Sequence, residues 1–189
     1  AELAQLIGHI DQRIRQRAQS ALAEKSAGDL LLEIARSTSH PELGRIHALW
    51  GLVEMKADGL RNLERRLPFD DPNPEIRAQT AKVAGDLRLR ESASQLQRLL
   101  SEVAHPRVQF HAAIALGKIG SQAAVPNLIS LLESNSNKDP FLRHAAVMGL
   151  SGSASPSQLA QFKSSPSVSV RIGAINALRR RESDLVSAF

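Results

Sequence analysis

An amphipathic segment recurs six times along this chain, at intervals of 28 to 34 residues. Each copy contains a residue, here called the register position, that is followed three, six and seven residues later by small or aliphatic residues. The register residues are Arg15, Arg45, Arg77, Gln109, Arg143 and Arg171. Because apolar residues at this spacing lie on one face of a helix, the pattern predicts six amphipathic helices.

Small side chains dominate the predicted inner faces of these six helices. The residues three positions after the register residue are Ala18, Ala48, Thr80, Ala112, Ala146 and Ala174. Seven positions after it stands leucine in five copies and Ala84 in the third. Small residues let neighbouring helices approach closely, while leucine fills the space between them. A proline just upstream of five copies suits the first turn of a helix.

Shorter amphipathic segments lie between the six copies, joined to them by polar turns such as SNSNKD. They are AGDLLLEIAR, GLRNLERRL, ASQLQRLL, VPNLISLLES and PSQLAQFK, and SDLVSAF after the last copy predicts a further, shortened one. Each has one apolar face, which is typical of an outer helix that covers an inner one. The sequence thus predicts an all-α architecture of two-helix repeats in a single domain over residues 1–189.

This arrangement resembles the HEAT-repeat family, and in particular the short HEAT-like repeats also found in phycobilin lyase subunits. The resemblance covers nearly the whole chain. It implies a right-handed α-solenoid of about six two-helix repeats, in which each repeat buries its faces against its neighbours. Because the chain has no initiator Met, we expect it to be a segment of a longer multidomain protein.

Four of the copies show a narrower resemblance. HPELGRIHALWGL, DPNPEIRAQTAKVAGDL, DPFLRHAAVMGL and VRIGAINALRRR are similar to the HEAT segment of large planctomycete-type proteins. Those bacterial proteins combine a β-propeller like that of membrane-bound sugar dehydrogenases, a HEAT region and a C-terminal c-type haem-binding domain. If the chain is a segment of such a haem-binding protein, we expect it to be periplasmic or exported. If it is not, we expect it in the cytoplasm.

Composition and motifs argue against catalysis within the chain. It contains no Cys, which excludes disulfides, thiolate metal ligands and cysteine nucleophiles. It has no HExxH, Walker, dinucleotide-binding or nucleophile-elbow motif, and its six His residues lack metal-ligand spacing. Gly117 and Gly120 in GKIG follow a helix, so they predict a C-cap and turn. We therefore predict a protein that is not an enzyme, holds no cofactor or metal and has no membrane-inserted segment.

A narrow polar stripe is predicted on the register helices, opposite their small-residue face. Positions two, five and nine after the register residue fall within about 60° of one another at 100° per residue. We expect this stripe to line a concave binding face. Its candidate contact residues are Arg17, His47, Trp50, Lys82, His111, Lys118 and Arg180. Trp50 is the leading candidate because tryptophan is enriched at interface hot spots, although it could instead fill space between inner helices.

The register arginines are a second set of candidates, for which we favour a structural role. The resemblance to HEAT proteins implies that Asp and Arg residues at such positions form a ladder that links adjacent repeats. The predicted ladder comprises Arg15, Arg45, Arg77, Arg143 and Arg171 together with Asp11, Asp71 and Asp139. A guanidinium group can also reach the carbonyl groups of the turns between helices.

The distribution of charge bears on the choice of partner. The net charge is +5, yet the stripe carries four cations and three anions, so the excess is expected on segments such as RNLERRL and the RRR at 179–181. A groove that follows a phosphate backbone needs a more one-sided charge. We therefore predict a monomeric scaffold that binds a partner protein or an adjacent domain of the parent chain. The alternatives are a HEAT-like module that binds duplex DNA and an accessory module that, like phycobilin lyases, handles a tetrapyrrole.

Overall fold

The computed structural model describes residues 2–57, 60–102 and 104–189. Within these ranges the regular structure consists of twelve α-helices and four short 3-10 helices, without a strand. The prediction of an all-α fold is confirmed. The chain divides into two compact units, residues 1–87 and 88–189, which are called unit 1 and unit 2 below.

Unit 1 contains the first three register helices, α2, α4 and α6, and the shorter helices near them. The helices are α1 (Glu2–Leu6), α2 (Gln12–Glu24), α3 (Gly28–Arg36), α4 (Glu42–Glu54), α5 (Leu63–Arg66) and α6 (Pro74–Asp86). The central helix, α4, packs against α2 on one side and α6 on the other, and α3 also packs against it. This is the arrangement of inner and outer helices that the repeats predict.

Unit 2 repeats the arrangement with register helices α8, α10 and α12. The helices are α7 (Ala93–Leu100), α8 (Pro106–Ile119), α9 (Val125–Asn135), α10 (Pro140–Ser153), α11 (Pro156–Gln161) and α12 (Val168–Arg180). Helix α10 packs between α8 and α12, while α7, α9 and α11 pack against α8, α10 and α12 respectively. The 3-10 helices of this unit are Arg90–Ser92, Gln122–Ala124, Phe162–Ser164 and Asp184–Ala188.

The small-residue and leucine columns of the repeat form the core of each unit. All six residues three positions after the register residue are buried, and so are all six residues seven positions after it. Pro74, Pro106 and Pro140 are the first residues of α6, α8 and α10. Proline is tolerated there because the N–H groups of the first turn have no hydrogen-bond partner within the helix. The repeat pattern therefore predicts both the helix starts and the buried faces.

Helix α5 is shorter than the segment GLRNLERRL predicts. The predicted start at Gly59 lies outside the described residues, and the helix occupies only Leu63–Arg66. Asn62, directly before it, has a left-handed backbone with φ of 51°, which interrupts a right-handed helix. Leu67 precedes Pro68 and is extended, because a proline disfavours the helical conformation of the residue before it.

Two further segments differ in detail from their predicted form. Asp184–Ala188, within SDLVSAF, is a 3-10 helix, a form that is common for short helical pieces. In GKIG, Gly120 ends α8 with φ of 72°, as predicted for a C-cap. Gly117 instead lies inside α8, where an added Cβ would lie 2.6 Å from the carbonyl oxygen of Met148 in α10. A residue larger than glycine would therefore force these two helices apart.

Candidate functional site

Four of the seven predicted contact residues lie in unit 1, on three register helices that pack in the order α2, α4, α6. Arg17 and Trp50 are exposed, Lys82 is half-buried and His47 is buried. We call the stripe positions of these three helices the Trp50 face. It comprises Arg17, Ser20, Glu24, His47, Trp50, Glu54, Gln79, Lys82 and Asp86.

Trp50 is held in one orientation while about a third of its surface, 36%, stays accessible. Its indole Nε1 donates a hydrogen bond of 2.9 Å to Gln79 Oε1 on the neighbouring helix α6. Gln79 Nε2 in turn donates to Glu75 Oε1 at 2.8 Å, which fixes the amide. The ring also meets His47 edge-on, with ring centroids 5.1 Å apart. An ordered, partly exposed tryptophan loses little side-chain entropy when it binds a partner.

His47 connects α4 to α2 through a second glutamine. Its Nδ1 lies 2.8 Å from Gln19 Oε1, and Gln19 Nε2 donates to Glu54 Oε2 at 2.9 Å. A carboxylate such as Glu54 only accepts hydrogen bonds, so the amide nitrogen of Gln19 must face it and the amide oxygen must face His47. Because that oxygen accepts, Nδ1 of His47 carries the proton. Burial lowers the pKa of His47, and the positive charge of Arg15 lowers it further, so the ring is neutral at pH 7. Gln19 lies outside the predicted stripe, and its sequence position carries no signal for this role.

The charges of the Trp50 face are mixed. Lys82 Nζ lies 2.8 Å from Asp86 Oδ2, one helical turn further along α6. With Arg17 and Lys82 against Glu24, Glu54 and Asp86, the face has two cations and three anions. A surface of this balance offers no continuous track of positive potential for a phosphate backbone.

The other three predicted contact residues lie in unit 2. His111 is half-buried on α8, with its ring perpendicular to that of Phe110 and the ring centroids 5.1 Å apart. Lys118 is exposed near the end of the same helix. Arg180 is exposed at the end of α12, where it lines a cavity of about 540 Å³ beside α10. Their role as contact residues stays a prediction.

Three register arginines bind backbone carbonyl groups of the turn that precedes their own helix. In each, Nη1 donates to the carbonyl oxygens six and five residues upstream, in that order. The distances are 2.8 and 2.9 Å for Arg15, 2.6 and 3.2 Å for Arg77, and 2.6 and 3.2 Å for Arg171. These arginines therefore satisfy turn carbonyls that lack a partner within the helix.

Arg45 and Asp71 form a buried ion pair between two successive repeats. The guanidinium contacts both carboxylate oxygens, and the two side chains are only 5% and 4% exposed. Arg45 Nε also donates to the Ala35 carbonyl at 2.9 Å, and Asp71 Oδ1 accepts from Asn73 N at 2.9 Å. Since Arg45 belongs to α4 and Asp71 to the turn before α6, the pair joins the two repeats.

The remaining ladder candidates have other local contacts. Asp11 accepts from the N–H group of Arg13 and forms an exposed ion pair with the same residue at 2.6 Å. Asp139 caps α10 by accepting from the N–H groups of Phe141 and Leu142. The side chain of Arg143 makes no hydrogen bond or ion pair with another described residue and lines the same cavity as Arg180. A ladder through every repeat stays a prediction.

The described ranges contain neither a cluster suited to a metal ion nor a membrane-spanning helix. No cluster of three or more His, Cys, Asp or Glu side chains in these ranges is arranged to hold a metal ion. No helix there has both the length and the apolar character needed to cross a bilayer.

Comparisons with known proteins agree with the helical architecture. Residues 61–151 match the family model for HEAT repeats. Among solved structures, a chain of the CpcE–CpcF complex of phycocyanin lyase from Nostoc sp. PCC7120 is similar, with a TM-score of 0.62 and 18% sequence identity. The likeness covers 93% of this chain and 74% of that chain. A search of curated proteins finds no match.

Residues 61–151 therefore match HEAT repeats, and the described residues have the all-α architecture that the sequence predicts. At 18% identity, the likeness to the lyase chain establishes a shared fold and nothing about a shared ligand.

Proposed function

We propose that this protein is a non-catalytic scaffold whose Trp50 face binds a partner protein or an adjacent domain of a longer chain. The observation that carries the proposal is the held orientation of Trp50, fixed by Gln79 and His47 with 36% of its surface accessible. Tryptophan is one of the residues enriched among the hot spots of protein interfaces.

The surroundings of Trp50 support a protein partner. The aromatic group stands among glutamine, carboxylate and ammonium groups that hydrogen bond to one another across α2, α4 and α6. An apolar anchor within a polar, mixed-charge rim is the usual anatomy of a protein–protein interface. The solved structure with a similar fold is itself a complex of two proteins, CpcE and CpcF, which supports the same kind of role here.

The test compares three forms of the protein as bait in a lysate of the source organism. They are the wild type, Trp50→Ala, and Phe141→Ala as a control that removes an aromatic side chain 72% exposed in unit 2. We expect the partner to be retained by the wild type and by Phe141→Ala but lost roughly tenfold or more with Trp50→Ala, since truncating a hot spot costs about 2 kcal/mol or more. Lys82→Glu should weaken retention less.

Binding should also be visible from the tryptophan itself. Trp50 is the only tryptophan in the chain, so its fluorescence reports on this face alone. Adding the purified partner should shift the emission to shorter wavelength as water leaves the ring. Retention that is unchanged by both Trp50→Ala and Lys82→Glu, with circular dichroism showing intact helices, would exclude this face as the interface.

The likeness to a phycocyanin lyase chain motivates a second candidate, an accessory module that handles a tetrapyrrole. Phycocyanobilin and haem absorb strongly, and their spectra change when they enter a protein site. Mixing each with the protein and finding an unchanged absorbance spectrum would remove this candidate.

Binding of duplex DNA is the least supported of the three. It predicts a mobility shift that is largest at low salt and disappears as salt is added. The absence of a mobility shift at low ionic strength would exclude DNA binding.

A further inference from the structure

Unit 2 carries the whole excess of positive charge in this chain. Unit 1 has twelve Lys and Arg residues against thirteen Asp and Glu, a formal charge of −1. Unit 2 has twelve against six, a formal charge of +6. RNLERRL belongs to unit 1, so it does not contribute to the excess, whereas the RRR at 179–181 does.

A cavity of about 540 Å³ between α10 and α12 collects part of this charge. It is lined by Pro140, Arg143, His144, Val147, Asn176, Arg179 and Arg180. The lining thus includes three arginines, a histidine and an asparagine, and none of the lining residues is acidic. Asp139, next to Pro140, accepts two N–H groups of α10 and lines a different cavity, and Glu182, two residues after Arg180, is not a lining residue.

The three arginines are not neutralised by the rest of the unit. None of Arg143, Arg179 and Arg180 forms a side-chain hydrogen bond or ion pair with another residue in the described ranges. Some arginines elsewhere, such as Arg171 and Arg45, do contact carbonyl groups or carboxylates. Three unpaired guanidinium groups around one space repel one another, and a bound anion would relieve that repulsion.

The neighbouring arginine, Arg181, does not line the cavity and instead contacts α10 and the residue after it. Arg181 Nη1 donates to the carbonyl oxygens of Ser151 and Ala154, at 2.7 and 3.1 Å. These contacts attach the end of α12 to the end of α10. The third arginine of the RRR thus holds the helix end while Arg179 and Arg180 line the space.

A cavity of similar size in unit 1 shows what a neutralised site looks like. Its volume is about 510 Å³, and it is lined by Asp29, Leu32, Glu33, Arg36, Ser37 and Arg66. Two carboxylates stand there with two guanidinium groups, and Arg66 contacts Asp29 at 2.6 Å. Arginine in a cavity is therefore not by itself distinctive in this protein. The cavity between α10 and α12 differs from this one because three arginines line it without any lining carboxylate.

We infer that the cavity between α10 and α12 is a binding site for a small phosphate-bearing molecule, with Arg143, Arg179 and Arg180 as its anion ligands. Guanidinium groups bind phosphate oxygens through paired hydrogen bonds, and Asn176 can donate one more. The volume lies within the range of about 300–1,000 Å³ that is usual for small-molecule sites. This site is separate from the Trp50 face and does not depend on the proposed scaffold function.

Inorganic pyrophosphate is the probe, titrated into the full chain by calorimetry at low salt. The test variant is Arg179→Glu/Arg180→Glu, both exposed positions. The matched control is Arg90→Glu/Lys163→Glu, which makes the same change in net charge at two exposed residues of unit 2 outside the cavity. We expect the test variant to bind at least tenfold more weakly than the wild type and the control to bind within twofold of it.

Thermal unfolding gives a second measurement that does not depend on binding heat. A ligand that binds only the folded state raises the unfolding temperature. Pyrophosphate should raise it for the wild type and the control but not for Arg179→Glu/Arg180→Glu. Arg143→Gln should also lose the effect, while circular dichroism in the absence of pyrophosphate shows that it is folded.

Three results would overturn the inference. The first is the absence of pyrophosphate binding to the wild type at low salt. The second is equal weakening in the test and control variants, because binding would then follow the net charge of unit 2 and not the cavity. The third is duplex DNA that binds more tightly than pyrophosphate and is lost equally in both variants, which would indicate a diffuse cationic surface.

Discussion

The two units are built from the same repeat, yet they treat their charged residues differently. In unit 1 cations and anions are brought together, both in the interior, as Arg45 with Asp71, and at the surface, as Arg66 with Asp29. In unit 2 the cations outnumber the anions two to one, and three arginines gather around a cavity without a carboxylate. Both units bury the same apolar columns although their charged residues differ, so one fold accommodates two charge patterns.

Two glycines of register helices, one in each unit, differ in what surrounds them. In unit 2, Gly117 of α8 stands against the backbone of α10, where an added Cβ would lie 2.6 Å from the Met148 carbonyl oxygen. At Gly51 of α4 in unit 1, an added Cβ would meet the flexible Leu31 side chain at 3.1 Å. A side chain can shift more easily than a backbone carbonyl, so the unit 2 contact is the less tolerant one.

The largest expected effect comes from breaking the interior ion pair of unit 1. Asp71→Ala leaves the Arg45 guanidinium buried and uncompensated, so the free energy of unfolding should fall by about 3–5 kcal/mol. Urea unfolding followed by circular dichroism measures it. Asp29→Ala is the matched control, since Asp29 belongs to a surface ion pair and its side chain is 81% exposed. It should lower the free energy of unfolding by less than about 1 kcal/mol. Equal losses of stability in the two variants would mean that the interior ion pair stabilises the fold no more than the surface pair does.

A smaller loss is expected from filling the close contact of unit 2. Gly117→Ala must separate α8 from α10 and should lower the free energy of unfolding by about 1–3 kcal/mol. The control is Gly8→Ala in unit 1, where the nearest atoms to an added Cβ lie at an ordinary 3.4 Å. Thermal unfolding of both variants checks the difference. A Gly117→Ala protein as stable as Gly8→Ala would contradict the tight approach of the two helices.

The pH dependence of stability should report on His47 in unit 1. Burial and Arg15 lower the pKa of His47 in the folded state, so the unfolded chain takes up its proton first. Stability should therefore be lost as the pH falls from about 6.5, the unfolded value, towards the lower folded pKa. Unfolding with Trp50 fluorescence as the probe measures this. His47→Gln should flatten this part of the profile, and an unaltered profile would show that another group is responsible.

The smallest effect is expected at the half-buried ion pair of the Trp50 face, Lys82 with Asp86. Lys82 and Asp86 are one helical turn apart, and a pair of this kind stabilises a helix by about 0.3–0.5 kcal/mol. Lys82→Met should lose that amount at low salt and almost nothing at high salt, because salt screens exposed charges. Comparing the stabilities at the two salt concentrations checks it. A loss that salt does not change would point to packing of the lysine stem.

Much of the fold follows from the sequence because the repeat is local. The register columns carry helical spacing, and Pro74, Pro106 and Pro140 lie at helix starts in the structure as the pattern predicts. The short outer segments are predicted less accurately than the register helices. Helix α5 lost its predicted first turn because Asn62 adopts a left-handed backbone, which helical spacing alone does not reveal.

The side-chain partners were decided by tertiary structure. Sequence spacing places Asp71 near Arg77, yet its carboxylate contacts Arg45, because the turn before α6 lies against the start of α4 only after the repeats stack. In the same way, the spacing leads to Trp50 but not to Gln79 as its hydrogen-bond partner. Local periodicity determines which face of a helix is buried, while the partner across the interface depends on how neighbouring helices dock. The sequence alone thus determined the repeat and its buried face, and packing decided that Trp50 is held in place and that three arginines share one cavity.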